Sequence, residues 1–130
     1  MKPTLPQQII AVLECRTEIV AGYLFGSRAS GESTQASDVD LALLARRPLP
    51  LDALVGLQDE FEAALGLKVD LIDLTQADAF LALDAVRGER IFERDGRHVD
   101  EFELYVLRRA ADLAPFEQER RRLLLAAATS

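Results

Sequence analysis

Two aspartates, Asp38 and Asp40, stand one residue apart at the head of a short apolar run. Alternate residues of a strand point to the same face of a sheet, so a strand here places both carboxylates side by side, with Cα atoms roughly 6–7 Å apart. Like charges at that separation repel each other, and a divalent cation removes the repulsion. The pair predicts a magnesium site completed by phosphate oxygens and water. The alternative is a solvated pair of aspartates in an acidic protein.

A glycine and a serine, Gly26-Ser27, directly follow the apolar run Ala21–Phe25, which predicts a buried strand. Glycine permits a tight turn and a close approach of a ligand to the backbone. Backbone N–H groups in such a turn bind anions, and the Ser27 hydroxyl adds a donor for a phosphate oxygen. The polar stretch 26–37 predicts a loop that cradles phosphate, with an ordinary exposed turn as the alternative.

A third carboxylate, Asp70, interrupts the apolar run Val69–Ile72. If that strand neighbours the strand of Asp40, the spacing of about 4.8 Å brings Asp70 to the same site, whereas Asp73 falls on the opposite face. The alternative is that Asp70 faces solvent or pairs with an arginine. Together with the phosphate turn, the three carboxylates indicate a two-metal phosphoryl or nucleotidyl transfer site. There, in-line attack on an α-phosphate releases pyrophosphate.

Strand and helix patterns alternate through the first three-quarters of the chain, which predicts an α/β (α+β) fold with a small mixed sheet flanked by helices. Thr4 and Gln7 fit a capping box that opens the first helix. The further predicted elements are strands over 21–25, 38–44 and 67–74, helices over 51–65 and 78–87, an edge strand over 90–93, and a helical segment over about 98–128.

The C-terminal segment has an apolar stripe, and Pro115 predicts a break into two helices because proline suits a first turn and not a helix interior. The predicted stripe comprises Phe102, Tyr105, Val106, Ala110 and Leu113. Arg120–Arg122 and Leu123–Leu125 predict a surface for a partner, with a terminal helix that covers the core as the alternative.

Composition limits the class of protein. With 130 residues, 15 Lys and Arg against 22 Asp and Glu, and a net charge of −7, the chain predicts one domain over 1–130, with a core over about 5–95. The negative charge disfavours direct binding of nucleic acid. A lone cysteine, Cys15, and the lack of an apolar span or signal-like start favour a cytoplasmic protein without membrane association.

Four segments together resemble the signature of the minimal nucleotidyltransferases of the DNA polymerase β-like superfamily. They are Leu24–Gly31, Ser37–Leu41, Val69–Ile72 and Gly88–Asp95. The resemblance covers nearly the whole chain and implies the nucleotidyltransferase fold, ATP as nucleotide donor and magnesium, with two ions. Whether manganese replaces magnesium stays open, since the same oxygen ligands suit both.

The resemblance also implies a role for each matched residue. Asp38, Asp40 and Asp70 become the metal ligands, with Asp70 as the base. Gly26 and Ser27 become the cradle for the triphosphate.

The same resemblance assigns Arg28 and Ser37 to nucleotide binding. Many members carry a basic residue just before the second glycine of the motif, where this chain has Ser30. Arg28, two positions away and always charged, can take over that contact.

A domain of this length builds little of an acceptor pocket, so a partner is expected to bring the acceptor. Stand-alone members resemble the antitoxin of a two-gene module whose toxin is a HEPN ribonuclease. The resemblance implies transfer of AMP from ATP to a tyrosine of that toxin within a hetero-oligomer, and the acidic balance suits a basic partner. Two alternatives stay open, namely a non-catalytic antitoxin that acts by binding alone and a nucleotidyltransferase for small molecules.

Overall fold

The computed structural model describes residues 2–26 and 38–129. The strands in these ranges are β1 (Ile19–Phe25), β2 (Val39–Ala45), β3 (Val69–Asp73) and β4 (Glu89–Glu93). They pair into a four-stranded sheet of order β3-β2-β1-β4. The helices of the described ranges are α1 (Leu5–Glu14), α2 (Leu51–Leu65), α3 (Ala79–Val86) and α4 (Gly96–Thr129). This architecture confirms the predicted mixed sheet flanked by helices.

The sheet is mixed because β1 pairs antiparallel with both β2 and β4, whereas β2 pairs parallel with β3. Parallel neighbours cannot be joined by a tight hairpin, so the chain crosses over between them through α2. Gly66 ends α2 with a left-handed backbone, φ 67°, and its N–H donates to the Glu62 carbonyl oxygen at 2.9 Å. The crossover is what brings two carboxylate-bearing strands side by side.

Local hydrogen bonds fix the starts of two helices where the sequence predicts them. The Thr4 hydroxyl accepts from the Gln7 N–H at 3.3 Å, and the Gln7 side chain accepts from the Thr4 N–H at 2.8 Å, which completes the predicted capping box of α1. Asp78 caps α3 by accepting from the N–H groups of Phe80 and Leu81, at 3.0 and 2.9 Å.

The core occupies both faces of the sheet. Side chains such as Leu24, Leu41 and Leu43 pack with Ile9 of α1 and Phe61 of α2. On the opposite face, the apolar cluster joins the sheet to α3 and α4. Its buried members include Tyr23, Phe25, Ala42, Leu44, Ala82, Ala85, Val99 and Val106. Both faces of β1 and β2 are therefore covered, as their continuous apolar sequences require.

A part-buried ionic network attaches α4 to the sheet. Arg90 of β4 donates to Glu103 at 3.0 Å, to Asp100 at 2.7 Å and to Glu93 at 2.6 Å. The hydroxyl of Tyr23 donates to the same Glu103 carboxylate, and burial together with this bond raises the pKa of Tyr23. Because one carboxylate bonds to β1 and β4 at once, the network fixes the position of α4 on the sheet.

The predicted break at Pro115 is wrong, because α4 runs without interruption from Gly96 to Thr129 with Pro115 inside it. Pro115 removes one backbone hydrogen bond, but the helix is exposed around it, so water can satisfy the freed carbonyl group. Although α4 is long, no helix in the described ranges is apolar enough to cross a membrane.

The buried stripe of α4 is also narrower than predicted. Val106 and Ala110 are buried, but Tyr105 is 56% exposed and Leu113 37% exposed. The buried residues Val99, Val106 and Ala110 repeat at helical spacing, and Tyr105 lies one position off that line. Beyond Ala110 the helix no longer covers the core, and Phe116 and Leu123–Leu125 are exposed. This excludes the alternative of a terminal helix that covers the core.

One carboxylate, Asp73 at the end of β3, is buried for structural reasons. It accepts from the N–H groups of Leu49 at 2.8 Å and Thr75 at 2.9 Å, and from the side chains of Thr75 and Gln76, both at 2.7 Å. Burial opposes its ionisation, but these hydrogen bonds together outweigh burial and lower the pKa of Asp73. Asp73 thus ties β3 to the segments before α2 and before α3, on the face opposite Asp70 as predicted.

Replacement Asp73→Asn is expected to destabilise the protein near neutral pH by about 1–3 kcal/mol, because an amide group replaces one of the two carboxylate oxygens and the donors bonded to that oxygen lose their acceptor. Since the folded-state pKa is lowered, the carboxylate stabilises the fold above its unfolded pKa of about 3.9, and that contribution is lost as the pH falls through the folded pKa. Urea unfolding at several pH values measures the effect. A stability difference that stays constant down to the lowest pH would contradict it.

Candidate functional site

Strand register places two carboxylates directly opposite each other. Asp40 of β2 and Asp70 of β3 are paired residues of the parallel ladder, so their side chains leave the same face of the sheet. Asp38 precedes β2 by one residue and lies two positions before Asp40, which fits the same face. The strand of Asp70 does neighbour the strand of Asp40, which is the condition under which Asp70 was expected to reach the site.

Asp40 is affected by the charges of the two other carboxylates. Asp40 is half-buried, whereas Asp38 and Asp70 are exposed. Burial raises the pKa of Asp40, and the negative charges of Asp70 and Asp38 raise it further. The folded protein therefore holds Asp40 in a place where its charge is unfavourable unless a cation compensates it.

Gly26, at the end of β1, provides the space that Asp40 occupies. Its φ of +72° lies in the left-handed region of backbone conformation, which residues other than glycine rarely adopt. A Cβ atom on Gly26 would overlap the Asp40 carboxylate, with the Asp40 Cγ only 3.1 Å away. The glycine therefore permits both the turn after β1 and the seating of a carboxylate against the backbone.

Several predicted residues lie outside the described ranges. Ser27, Arg28, Ser30 and Ser37 all fall between the end of β1 and the start of β2, in residues 27–37. Their predicted contacts with a triphosphate stay predictions.

A divalent metal ion fits the chemistry of these donors. Asp38, Asp40 and Asp70 offer hard carboxylate oxygens, which magnesium prefers, and a cation would relieve the repulsion that raises the pKa of Asp40. Among the described residues, however, no group of three Asp, Glu, His or Cys side chains would hold an ion by itself. Magnesium usually takes one or two carboxylates and completes its shell with substrate phosphates and water, so an open set of donors suits it.

Gly88 lies next to the site in a packing role that the sequence did not predict. A Cβ atom on Gly88 would approach the carbonyl oxygen of Leu24 at 2.5 Å and the Cβ of Phe25 at 2.7 Å. The junction between α3 and β4 therefore packs closely on the last two residues of β1, just before Gly26. A glycine immediately before a predicted strand is the signal that could have indicated this close approach.

The fold and the site together define a nucleotidyltransferase. The family model described as polymerase beta, nucleotidyltransferase matches residues 7–97, which is more than half of the chain. The chain belongs to this family. The matched range includes Gly26, Asp38, Asp40 and Asp70.

One described relative of this chain is a protein adenylyltransferase. A protein adenylyltransferase, MntA of Shewanella oneidensis, is 37% identical over 71 residues, an alignment that covers 54% of this chain and 51% of MntA. The aligned part thus spans about half the length of that relative.

In each of two solved structures, one chain has the same fold as this chain over almost its whole length. One is a toxin–antitoxin crystallised with AMP-PNP, with a TM-score of 0.77, 24% identity and coverage of 96% of this chain and 98% of that chain. The other is a complex of a tri-AMPylated Shewanella oneidensis HEPN toxin with an MNT antitoxin. Its TM-score is 0.72 and its identity 23%, and the match covers 97% of this chain and 97% of the matched chain.

The two glycines with positive φ give a matched test of the role of Gly26. Gly66, at φ 67°, has open space where a Cβ atom would stand, whereas Gly26 has the Asp40 carboxylate there. Each replacement by alanine is expected to cost about 1–2 kcal/mol for the left-handed backbone. Only Gly26→Ala should also displace Asp40 and abolish nucleotide transfer. Denaturant unfolding and a transfer assay compare the two variants, and equal activity of both would contradict this role.

Proposed function

We propose that this chain is a magnesium- and ATP-dependent protein adenylyltransferase. Its substrate is a tyrosine of a HEPN-type toxin, so the chain serves as that toxin's antitoxin. The observation that carries the proposal is the in-register pair Asp40 and Asp70, with Asp38 beside them and Gly26 opened to receive Asp40. The adenylyltransferase activity of MntA and the AMPylated toxin in a similar complex support the choice of reaction and acceptor.

In this proposal Asp38, Asp40 and Asp70 would hold two magnesium ions. These ions would neutralise charge on the triphosphate and on the transition state. Gly26 and Ser27 hold phosphate oxygens, and Arg28 and Ser37 complete the nucleotide site. Because Arg28 is permanently charged, it compensates for a serine at position 30.

The proposed reaction exchanges one P–O bond for another and transfers one proton. The tyrosine oxygen attacks the α-phosphorus of ATP in line, and the bond between that phosphorus and the oxygen bridging to the β-phosphate breaks. Asp70 accepts the hydroxyl proton, and pyrophosphate leaves. The product carries AMP on the tyrosine, which adds negative charge and bulk to the toxin.

The second half of α4 is the proposed contact surface for the partner. The second half of α4 exposes Phe116 and Leu123–Leu125 beside Arg120–Arg122, which suits contact with another protein. We place the hetero-oligomer in the cytoplasm, where ATP is available, and treat residues 1–130 as one nucleotidyltransferase domain.

This exposed half of α4 also favours a second candidate function, neutralisation by binding alone. It presents apolar side chains beyond the part of α4 that covers the sheet. A chain that acts in this way needs the helix but not the carboxylates, so the two candidates differ in their response to loss of Asp38 and Asp40.

The test is the intact mass of the co-expressed partner toxin. With the wild-type chain, its mass is expected to increase by whole adenylate units. With the double variant Asp38→Asn/Asp40→Asn, which keeps side-chain size but removes both charges, the partner should co-purify unmodified.

Growth of the co-expressing cells separates the two functions. Under the proposal, the double variant binds the toxin but fails to protect the cells. Protection by the double variant, with the partner unmodified, would instead establish neutralisation by binding. A partner that is modified equally by both chains would place the reaction elsewhere.

A further inference from the structure

Two side chains of α2 bind the backbone of Val69 on the outer edge of β3, the edge strand of the sheet. The side-chain amide of Gln58 donates to the Val69 carbonyl oxygen at 2.9 Å, and the Val69 N–H donates to the Glu62 carboxylate at 3.0 Å. Val69 itself is 1% exposed. Both backbone groups of this residue are therefore satisfied by side chains, in the manner of a neighbouring strand.

The two side chains are suited to act together. Gln58 and Glu62 are four residues apart, so they lie on the same face of α2, one turn from each other. Both are half-buried between the helix and the strand. One supplies a donor and the other an acceptor, which matches the carbonyl and the N–H of a single residue.

Val69, whose backbone is held in this way, directly precedes Asp70 in β3. Asp70 is exposed, and no hydrogen bond or ion pair within residues 2–26 and 38–129 holds its carboxylate. The position of this carboxylate opposite Asp40 therefore depends on the backbone of β3, which lies at the edge of the sheet. On its other side, β3 is secured through the Val39 N–H, which donates to the Lys68 carbonyl oxygen at 2.9 Å.

We propose that Gln58 and Glu62 are positioning residues that hold Asp70 at the distance from Asp40 that nucleotidyl transfer needs. This inference rests on the proposed function. Because they act on the third carboxylate and not on the phosphate turn, their loss should lower kcat for AMP transfer and leave the KM for ATP nearly unchanged.

The variant Glu62→Ala tests this role against a matched control on the same helix. Glu60→Ala also removes a part-buried ionic contact of α2, the pair with Arg16 of α1, but does not touch β3. Glu62→Ala is expected to lower kcat for transfer to the co-purified partner by about 10- to 100-fold, as loss of supporting contacts around metal ligands commonly does. Glu62→Gln, which keeps an acceptor oxygen for the Val69 N–H, should restore most of the rate.

Amide hydrogen exchange measures the positioning without any turnover. The Val69 amide is expected to exchange faster in Glu62→Ala than in the wild type, and to be unchanged in Glu60→Ala. Equal kcat in wild type and Glu62→Ala, or equal loss in the two alanine variants, would overturn the inference.

The two proposals can fail separately. If the wild-type chain transfers no AMP, the proposed function is contradicted, and titration with Mn²⁺ together with a non-hydrolysable ATP analogue then tests the positioning role. Weaker Mn²⁺ binding by Glu62→Ala than by Glu60→Ala supports it, and equal binding overturns it.

Discussion

The repulsion between carboxylates held at the end of a sheet is the constraint on which the rest of the site depends. A protein gains nothing in stability from placing Asp38 and Asp70 near the half-buried Asp40, where burial and both charges oppose ionisation. Under the proposed function, this arrangement serves to attract a divalent cation and the phosphates that accompany it. Strained charge of this kind is typical of functional sites.

The fold supplies the rigidity that this arrangement requires. Parallel pairing of β2 and β3 sets Asp40 opposite Asp70, and the crossover through α2 makes that pairing possible. Gly26 has no Cβ atom, which leaves room for the Asp40 carboxylate. Asp73, on the other face of β3, anchors the end of β3 through its hydrogen bond with the Leu49 N–H. Each of these features supports the site through the backbone and not by direct contact with a substrate.

Much of this could be predicted from local patterns. The capping box at Thr4, the cap at Asp78 and the period-2 spacing of Asp38 and Asp40 depend on neighbours in sequence. The position of Asp70 opposite Asp40 depends instead on which strands pair. The contacts of Gly26 with Asp40 and of Gln58 and Glu62 with Val69 join distant segments. No spacing rule within one segment can reveal them. Two predictions for α4 were wrong for another reason. Pro115 does not break the helix, because the helix is exposed there and water can bind the freed carbonyl group. Tyr105 is not buried, because it lies one position away from the line of buried residues on the helix.

The central claim is that strand register makes a divalent metal site from Asp38, Asp40 and Asp70. Calorimetric titration of the purified chain with Mg²⁺, in the presence of a non-hydrolysable ATP analogue, tests it most directly. Loss of a ligand should exceed the 10- to 100-fold effects of supporting residues, so Asp40→Asn is predicted to weaken binding by more than about 100-fold. Asp70→Asn should weaken it as well, and Asp59→Asn, at an exposed position of α2, should not. Equal Mg²⁺ affinity in the wild type and in Asp40→Asn would contradict the account.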